Sequence, residues 1–135
     1  MMISTKSNYA LRVMIDLAEH DEGSYVAMKT IADRQEISLK YLEKILPCLV
    51  KEGLIEGVHG KGGGYKLTKK PSEYKISDIL SITEGDLAPV RCLEHGASHC
   101  TKTADCRTLP LWSELNKLVY NYLDSVTIAD LMKNK

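Results

Sequence analysis

Phenylalanine is missing from these 135 residues and tryptophan occurs once, so an apolar core has to be built from Leu, Ile, Val, Met and seven Tyr. The length suits one domain or one domain with an appendage, burying roughly two thirds of its unfolded surface. Long apolar runs are missing too. Nothing approaches the ~20 residues of a membrane span, and Met1-Met2-Ile3-Ser4-Thr5-Lys6 carries no signal-peptide core, which sets a cytoplasmic, membrane-free expectation. Enzyme signatures are absent as well: there is no His-Glu-x-x-His, no Gly-x-Ser-x-Gly and no pair of carboxylates in a catalytic setting. The glycines from 60 to 64 do not follow the Walker spacing of a phosphate loop. The chain therefore reads as a binding protein and not as an enzyme.

Net charge is also missing, since 18 Lys+Arg balance 18 Asp+Glu, yet the balance is uneven along the chain. From Lys40 to Lys75, eight lysines (40, 44, 51, 61, 66, 69, 70, 75) face four glutamates (43, 52, 56, 73), giving +4 there and −4 elsewhere. Distribution over the surface, not the sum, decides whether a polyanion is attracted. The four cysteines are expected in a reducing compartment, where clustered thiols hold metal or sense redox more often than they form disulfides.

Apolar spacing predicts a helix over about 8–19 (Tyr9, Ala10, Val13, Met14, Leu17, Ala18) and a short one over 28–35. A third follows Ser38, a plausible N-cap, with the stripe Leu39, Leu42, Ile45, Leu46, Leu49, Val50. Pro47 predicts a kink or split inside it, and Gly53 its end. Residues 54–58 and 65–67 read as two strands joined by His59-Gly60-Lys61-Gly62-Gly63-Gly64. Ser77 is expected to cap a helix ending near Gly85. From Leu111, the residues Trp112, Leu115, Leu118, Val119, Tyr122, Leu123 and Val126 make the seam of a long helix packed against another helix, with Pro110 in its first turn. Thr127-Ile128-Ala129-Asp130 has the form of a capping box.

Helix, turn, helix, then a glycine-tipped hairpin is the order of a winged helix-turn-helix, whose second helix enters the major groove. Ser38, Lys40, Tyr41 and Lys44 lie where side chains reach phosphates and base edges, and His59, Lys61, Lys66, Lys69 and Lys70 put positive charge on and after the wing. A second constellation is Cys92-x7-Cys100-x5-Cys106, with His95 and His99 interleaved. Three thiolates at this spacing suit an iron-sulfur cluster or zinc, and spacing alone does not separate them from a thiol switch or from plain loop cysteines. Cys48, beside Leu46 and Leu49, reads as a small core residue.

Ser4-Thr5-Lys6 leading into Tyr9-Ala10, Ile37-Ser38-Leu39-Lys40-Tyr41-Leu42-Glu43, Gly53-Leu54-Ile55, Gly60 through Tyr65, the cysteine triplet, Leu111-Trp112 and Thr127-Ile128-Ala129-Asp130-Leu131 together closely resemble the IscR/NsrR/CymR-type transcription regulators, the Rrf-two family, nearly end to end. The resemblance implies a mainly α fold: a winged helix-turn-helix DNA-binding domain over 1–85 with a two-stranded wing, a Cys-rich cluster-binding loop over 86–108, and over 109–135 a long C-terminal dimerisation helix with a cap helix. The first helix is expected to pack at the dimer core as well. The resemblance further implies a homodimer on a near-palindromic double-stranded DNA operator, probed by Ser38, Lys40, Tyr41, Glu43, Lys44, His59, Gly60, Lys61 and Tyr65. In its cluster-binding branch, Cys92, Cys100 and Cys106 would hold an iron-sulfur cluster, expected as 2Fe-2S, that senses cluster status, oxidants or nitric oxide. The usual fourth-ligand positions hold Asn8 and Leu109, which leaves His99, His95 or a carboxylate for that role, and His59 stands where the family commonly has Arg. The alternatives are the same regulator using zinc or a thiol switch, a cluster-free repressor of the cysteine-metabolism type that works with a protein partner, and a small metal carrier that does not bind DNA.

Overall fold

The computed structural model of the chain describes residues 3–94, 96 and 106–133. Among these the order is α1 (Thr5–Glu19), α2 (Met28–Gln35), α3 (Leu39–Lys51), β1 (Ile55–Val58), β2 (Gly64–Leu67), a 3-10 turn (Pro71–Glu73), α4 (Ile76–Thr83), a second 3-10 turn (Arg91–Leu93), α5 (Leu109–Ser125) and α6 (Ile128–Leu131). It is the mainly helical, two-stranded winged architecture that the hydrophobic periodicity predicts.

The core gathers Val13, Met14 and Leu17 of α1, Ile31 of α2, Leu42, Ile45, Leu46 and Leu49 of α3, Ile79 of α4 and Ile128 of α6, all with little or no exposure. Among them sits a charge. Asp16 is fully buried on α1 and accepts two hydrogen bonds from the Arg34 guanidinium, Nε to Oδ1 at 3.0 Å and Nη2 to Oδ2 at 2.8 Å, plus one from Gln35 Nε2 at 2.9 Å. Arg12, also on α1, donates to the Gln35 carbonyl. The end of α2 is thereby bound to α1, and the connection to α3 has one course left. Glu36 takes a left-handed φ of 54° and Ile37 N–H returns to the Ala32 carbonyl at 3.1 Å.

Several boundaries depart from the sequence expectation. Helix α1 starts at Thr5, not near Asn8, because Ser4 Oγ accepts the Ser7 N–H at 3.1 Å and caps three further polar residues. Ser77 is not a cap: Ile76 N–H donates to the Val126 carbonyl and Lys75 bridges Thr127, so α4 begins two residues earlier and buries Ser77. Pro47 does not split α3, which is one helix of 13 residues; the carbonyl it leaves without a helical donor is that of exposed Glu43. Cys48 is half-buried rather than in the core. At the end of α3, Gly53 adopts φ +75° while its N–H reaches Val50 and that of Leu54 reaches Leu49, a paired closure that turns the chain straight into β1.

The wing pairs Ile55 with Leu67 through Val58 with Gly64, antiparallel. A connection the sequence did not announce holds it to the body: Val26 and Tyr65 exchange two backbone hydrogen bonds of 2.8 Å. The approach demands glycine, for a Cβ on Gly64 would lie 2.2 Å from the Val26 carbonyl oxygen. At the other end the buried Tyr74 hydroxyl donates to the Leu54 carbonyl at 2.7 Å and accepts from the N–H groups of Thr68 and Lys69.

Glu36 has no Cβ-tolerant reason to be left-handed beyond the fixed ends of its turn. Glu36→Gly should therefore raise stability by about 0.5–1 kcal/mol, the left-handed penalty outweighing glycine's added unfolded entropy; a denaturation midpoint that stays or falls would show the turn to be unstrained.

Candidate DNA interface and cysteine loop

The helix-turn-helix geometry leaves one face of α3 in solvent. Lys40, Glu43, Lys44, Pro47 and Lys51 are exposed and recur at three- and four-residue steps, so they share a stripe. Ser38 is exposed at the start, with its hydroxyl capping the helix by accepting from Tyr41 N–H at 3.1 Å. Tyr41 is half-buried. Its ring meets that of Tyr9 edge-on, centroids 5.2 Å apart, and Arg12 lies over the Tyr9 ring at 5.1 Å. Tyr41 thus braces α3 against α1.

On the wing, His59, Gly60 and Lys61 are exposed at the tip, whereas Tyr65 is half-buried at the Val26 bridge. Lys66 is not an unopposed charge: its Nζ lies 3.4 Å from Glu56 across the hairpin and 4.7 Å from the Tyr25 ring centroid, and Tyr25 donates to the same Glu56. Lys69 sits 5.1 Å from the Tyr74 ring centroid. Of these lysines only Lys66 faces a carboxylate, so the wing's unopposed positive charge among the described residues is carried by exposed Lys61, Lys69 and Lys70. A cleft of about 300 Å3 separates wing from helix, with Pro47, Val50 and Lys51 on one wall and Val58, His59 and Tyr65 on the other. Lys51 was not among the residues expected at this face; its spacing of seven from Lys44 is the signal that places it there.

The cysteine loop leaves the body after α4. Glu84 closes that helix, and one of its carboxylate oxygens accepts from Ser7 Oγ, from Ser4 Oγ at 2.7 Å and from Ser4 N–H at 3.2 Å. These bonds hold the Glu84 carboxyl below its usual value, Ser7 contributing most and partial burial opposing. Two residues on, Tyr120 of α5 receives the Leu87 N–H at 3.0 Å and donates to Asp86 Oδ1 at 3.3 Å. Cys92 is exposed in the second 3-10 turn. Cys106 is half-buried just before α5, its sulfur 3.5 Å from the Thr108 hydroxyl. Cys100, His95 and His99 lie outside the described residues, and among the described ones no group of three potential ligands gathers. Asn8 is exposed on the first turns of α1 and Leu109 is half-buried as the first residue of α5.

The expected seam divides. Tyr120, Leu123 and Val126 pack against the core, while Leu111, Leu118 and Tyr122 stand 58–67% exposed as a stripe on the other side of α5. That helix starts at Leu109, with Pro110 in its first turn as expected. Among the described residues no helix is long and apolar enough to cross a membrane.

Comparison with known proteins agrees with this geometry. The family model described as Rrf2, iron-dependent transcriptional regulator, matches residues 3–134. The protein named rrf2 of Nitratidesulfovibrio vulgaris is 39% identical over 134 residues, covering 99% of this chain and 89% of its own. The HTH-type transcriptional regulator IscR of Vibrio atlanticus is 34% identical, covering 99% and 76%. Among solved structures, CymR, the global cysteine regulator of B. subtilis, superposes with a TM-score of 0.82 at 32% identity over 100% of this chain and 98% of that one. T. potens IscR gives 0.75 at 34%, over 97% and 85%. These relatives are regulators of transcription and not enzymes.

Because the folded Glu84 carboxyl is more acidic than in the unfolded chain, its contribution is complete above the ordinary carboxylate range and disappears as pH falls through the folded value. Glu84→Gln should accordingly cost about 1 kcal/mol at neutral pH. The gap to the parent, followed by denaturation from pH 7 to pH 3, should close on acidification; a pH-independent gap would mean that the charge on Glu84 is not what holds Ser4 and Ser7.

Proposed function

The chain belongs to the Rrf2 family of transcriptional regulators, and on that footing we propose that it is a homodimeric, sequence-specific repressor whose loop thiols hold an iron-sulfur cluster. The observation that carries the DNA-binding half is the exposed stripe Lys40, Glu43, Lys44, Lys51 on α3 standing beside a wing tipped by His59 and Lys61. In this reading α3 enters the major groove, where Lys44 and Glu43 meet base edges or phosphates. Lys61 reaches the flanking backbone, and Lys51 and His59 line the cleft over which the strand between the two grooves would pass. The α5 stripe Leu111, Leu118, Tyr122 supports pairing with a second copy, which would give two α3 helices for the halves of a palindrome.

For the loop, the donor set fits the group: three thiols suit soft, thiophilic iron, and two of them stand at the ends of the loop, Cys92 exposed and Cys106 adjoining α5. Cys92, Cys100 and Cys106 would be the ligands, with His99 in place of the missing acid or histidine at Asn8 and Leu109. When bound, such a cluster supplies an inorganic centre that oxidants or nitric oxide can damage. What the chain supplies is the route by which the loop is felt: its stem is joined to α1 through Glu84 and to α5 through Asp86 and Leu87. The likeness to CymR supports a second reading, in which the same DNA-binding dimer works without a cluster.

Two measurements test these halves separately. Operator affinity should fall with salt as counterions are released, and Lys44→Ala or Lys61→Ala should each weaken binding and reduce the slope of log K against log salt by about one; slopes unchanged by both would mean the basic face is only solvated. Anaerobically purified protein should contain iron and sulfide and be coloured, and Cys106→Ala should lose both together with the difference in operator affinity between loaded and metal-free forms, expected within about five- to 150-fold. Zinc, or no metal after anaerobic reconstitution, would transfer the loop to the second reading.

A further inference from the structure

Among the described residues, the side chains of α5 that pack against the core all lie in its second half. The Val126 carbonyl accepts from Ile76 N–H, Ile128 N–H returns to the Tyr74 carbonyl, and Leu123 packs against the core. Among the described residues no apolar side chain from Leu109 to Val119 joins that core. The backbone bridge at Val126 serves as a pivot, the core contacts of Leu123 and of the Tyr120 ring lie close to it, and the first half of α5 extends beyond these contacts. A second polar attachment is the Tyr120 hydroxyl, which takes the Leu87 N–H at 3.0 Å and gives its proton to Asp86 at 3.3 Å.

We propose that Tyr120 is a positioning residue for operator recognition, setting the angle between the DNA-reading body and α5 and hence the separation of the two half-sites a dimer prefers. The proposal rests on the operator-binding, dimeric reading above and adds a residue and a measurable property to it. The geometry gives the hook leverage. Tyr120 lies six residues, about 9 Å, from the pivot, and Leu111 lies fifteen, about 22 Å, so a 1 Å slip at Tyr120 moves Leu111 by about 2.5 Å. With the two copies joined on the α5 stripe, the same rotation carries each body, and its α3, relative to the other.

The other end of this short segment is fixed to the reading head. Between Glu84 and Asp86 stands Gly85 with a φ of +85°, and Glu84 is bonded to Ser4 and Ser7 on the first turn of α1. Two residues further along α1, Tyr9 meets Tyr41 of α3. Residues 84–87 thus form a strap from α5 to the helix that braces α3, and it is also where the cysteine loop begins.

Tyr120→Phe removes the hydroxyl and keeps the ring. Duplexes selected from random sequence by the full-length protein provide the operator, and versions with one base pair inserted or removed at its centre provide the readout. The parent should prefer its own spacing. Tyr120→Phe should flatten that preference by about fivefold, the ratio that one hydrogen bond of ordinary strength supplies, while affinity for non-operator DNA stays unchanged. Asp86→Ala, which removes the acceptor but leaves the Leu87 N–H bond to Tyr120 in place and frees the Ala88 N–H, should flatten it less, and the double variant no further than Tyr120→Phe. Folded variants with the parent's spacing profile and intact operator binding would overturn the inference and leave the regulator reading in place. Selection that enriches no operator for the parent would overturn both.

Discussion

The fold turns on a buried carboxylate. Asp16 has no exposure, and an uncompensated charge there would cost several kcal/mol. Its oxygens are instead occupied by Arg34 and Gln35, the last two residues of α2. Apolar packing alone lets two helices slide and rotate at small cost, whereas a bidentate guanidinium on a carboxylate has one geometry. Because α2 ends in that geometry, the three-residue turn that follows has fixed endpoints, and Glu36 is forced left-handed to meet them. The direction of α3, and so of everything it presents to solvent, is set from α1 by a polar contact.

The periodic part of this architecture was legible from residue order. Apolar stripes gave α1, α2, α3 and α5, Gly53 gave the end of α3, and Thr127 with Asp130 gave the capping box of α6. What could not be read was every contact between polar groups distant in sequence. Asp16, lying among apolar positions of α1, carries no local mark of its partners eighteen and nineteen residues away. Ser77 has the right chemistry for a cap, but the bridge between Lys75 and Thr127 decides where α4 begins. Lys66 counted as wing charge until the hairpin register placed Glu56 across from it.

The candidate site divides the same way. The solvent-facing stripe of α3 followed from helical spacing, since a stripe that is not apolar on an otherwise apolar helix has to face water. Tyr41 belonged to that set by position and yet turns inward to Tyr9. Lys51 closes the helix, where a basic residue also meets the negative end of the helix dipole, and it continues the exposed stripe seven residues beyond Lys44. The thiols were visible as a spacing, but the strap that joins their loop to α1 and α5 is made of Glu84, Asp86 and Tyr120, residues with no motif at all.

The bridge between Val26 and Tyr65 has an entropic consequence. A free two-stranded hairpin samples many orientations, and ordering it on a ligand costs about 1–2 kcal/mol for each residue immobilised. Here β2 is stitched to the body at Tyr65 and clasped below by the Tyr74 hydroxyl, so both strands are ordered before anything binds. The tip is tied as well, for Gly63 N–H closes a turn onto the Gly60 carbonyl at 3.0 Å and a Cβ on Gly63 would lie 2.2 Å from the Val58 carbonyl oxygen. Whatever the tip touches therefore has little backbone left to order, which lets a single lysine there, Lys61, contribute net affinity.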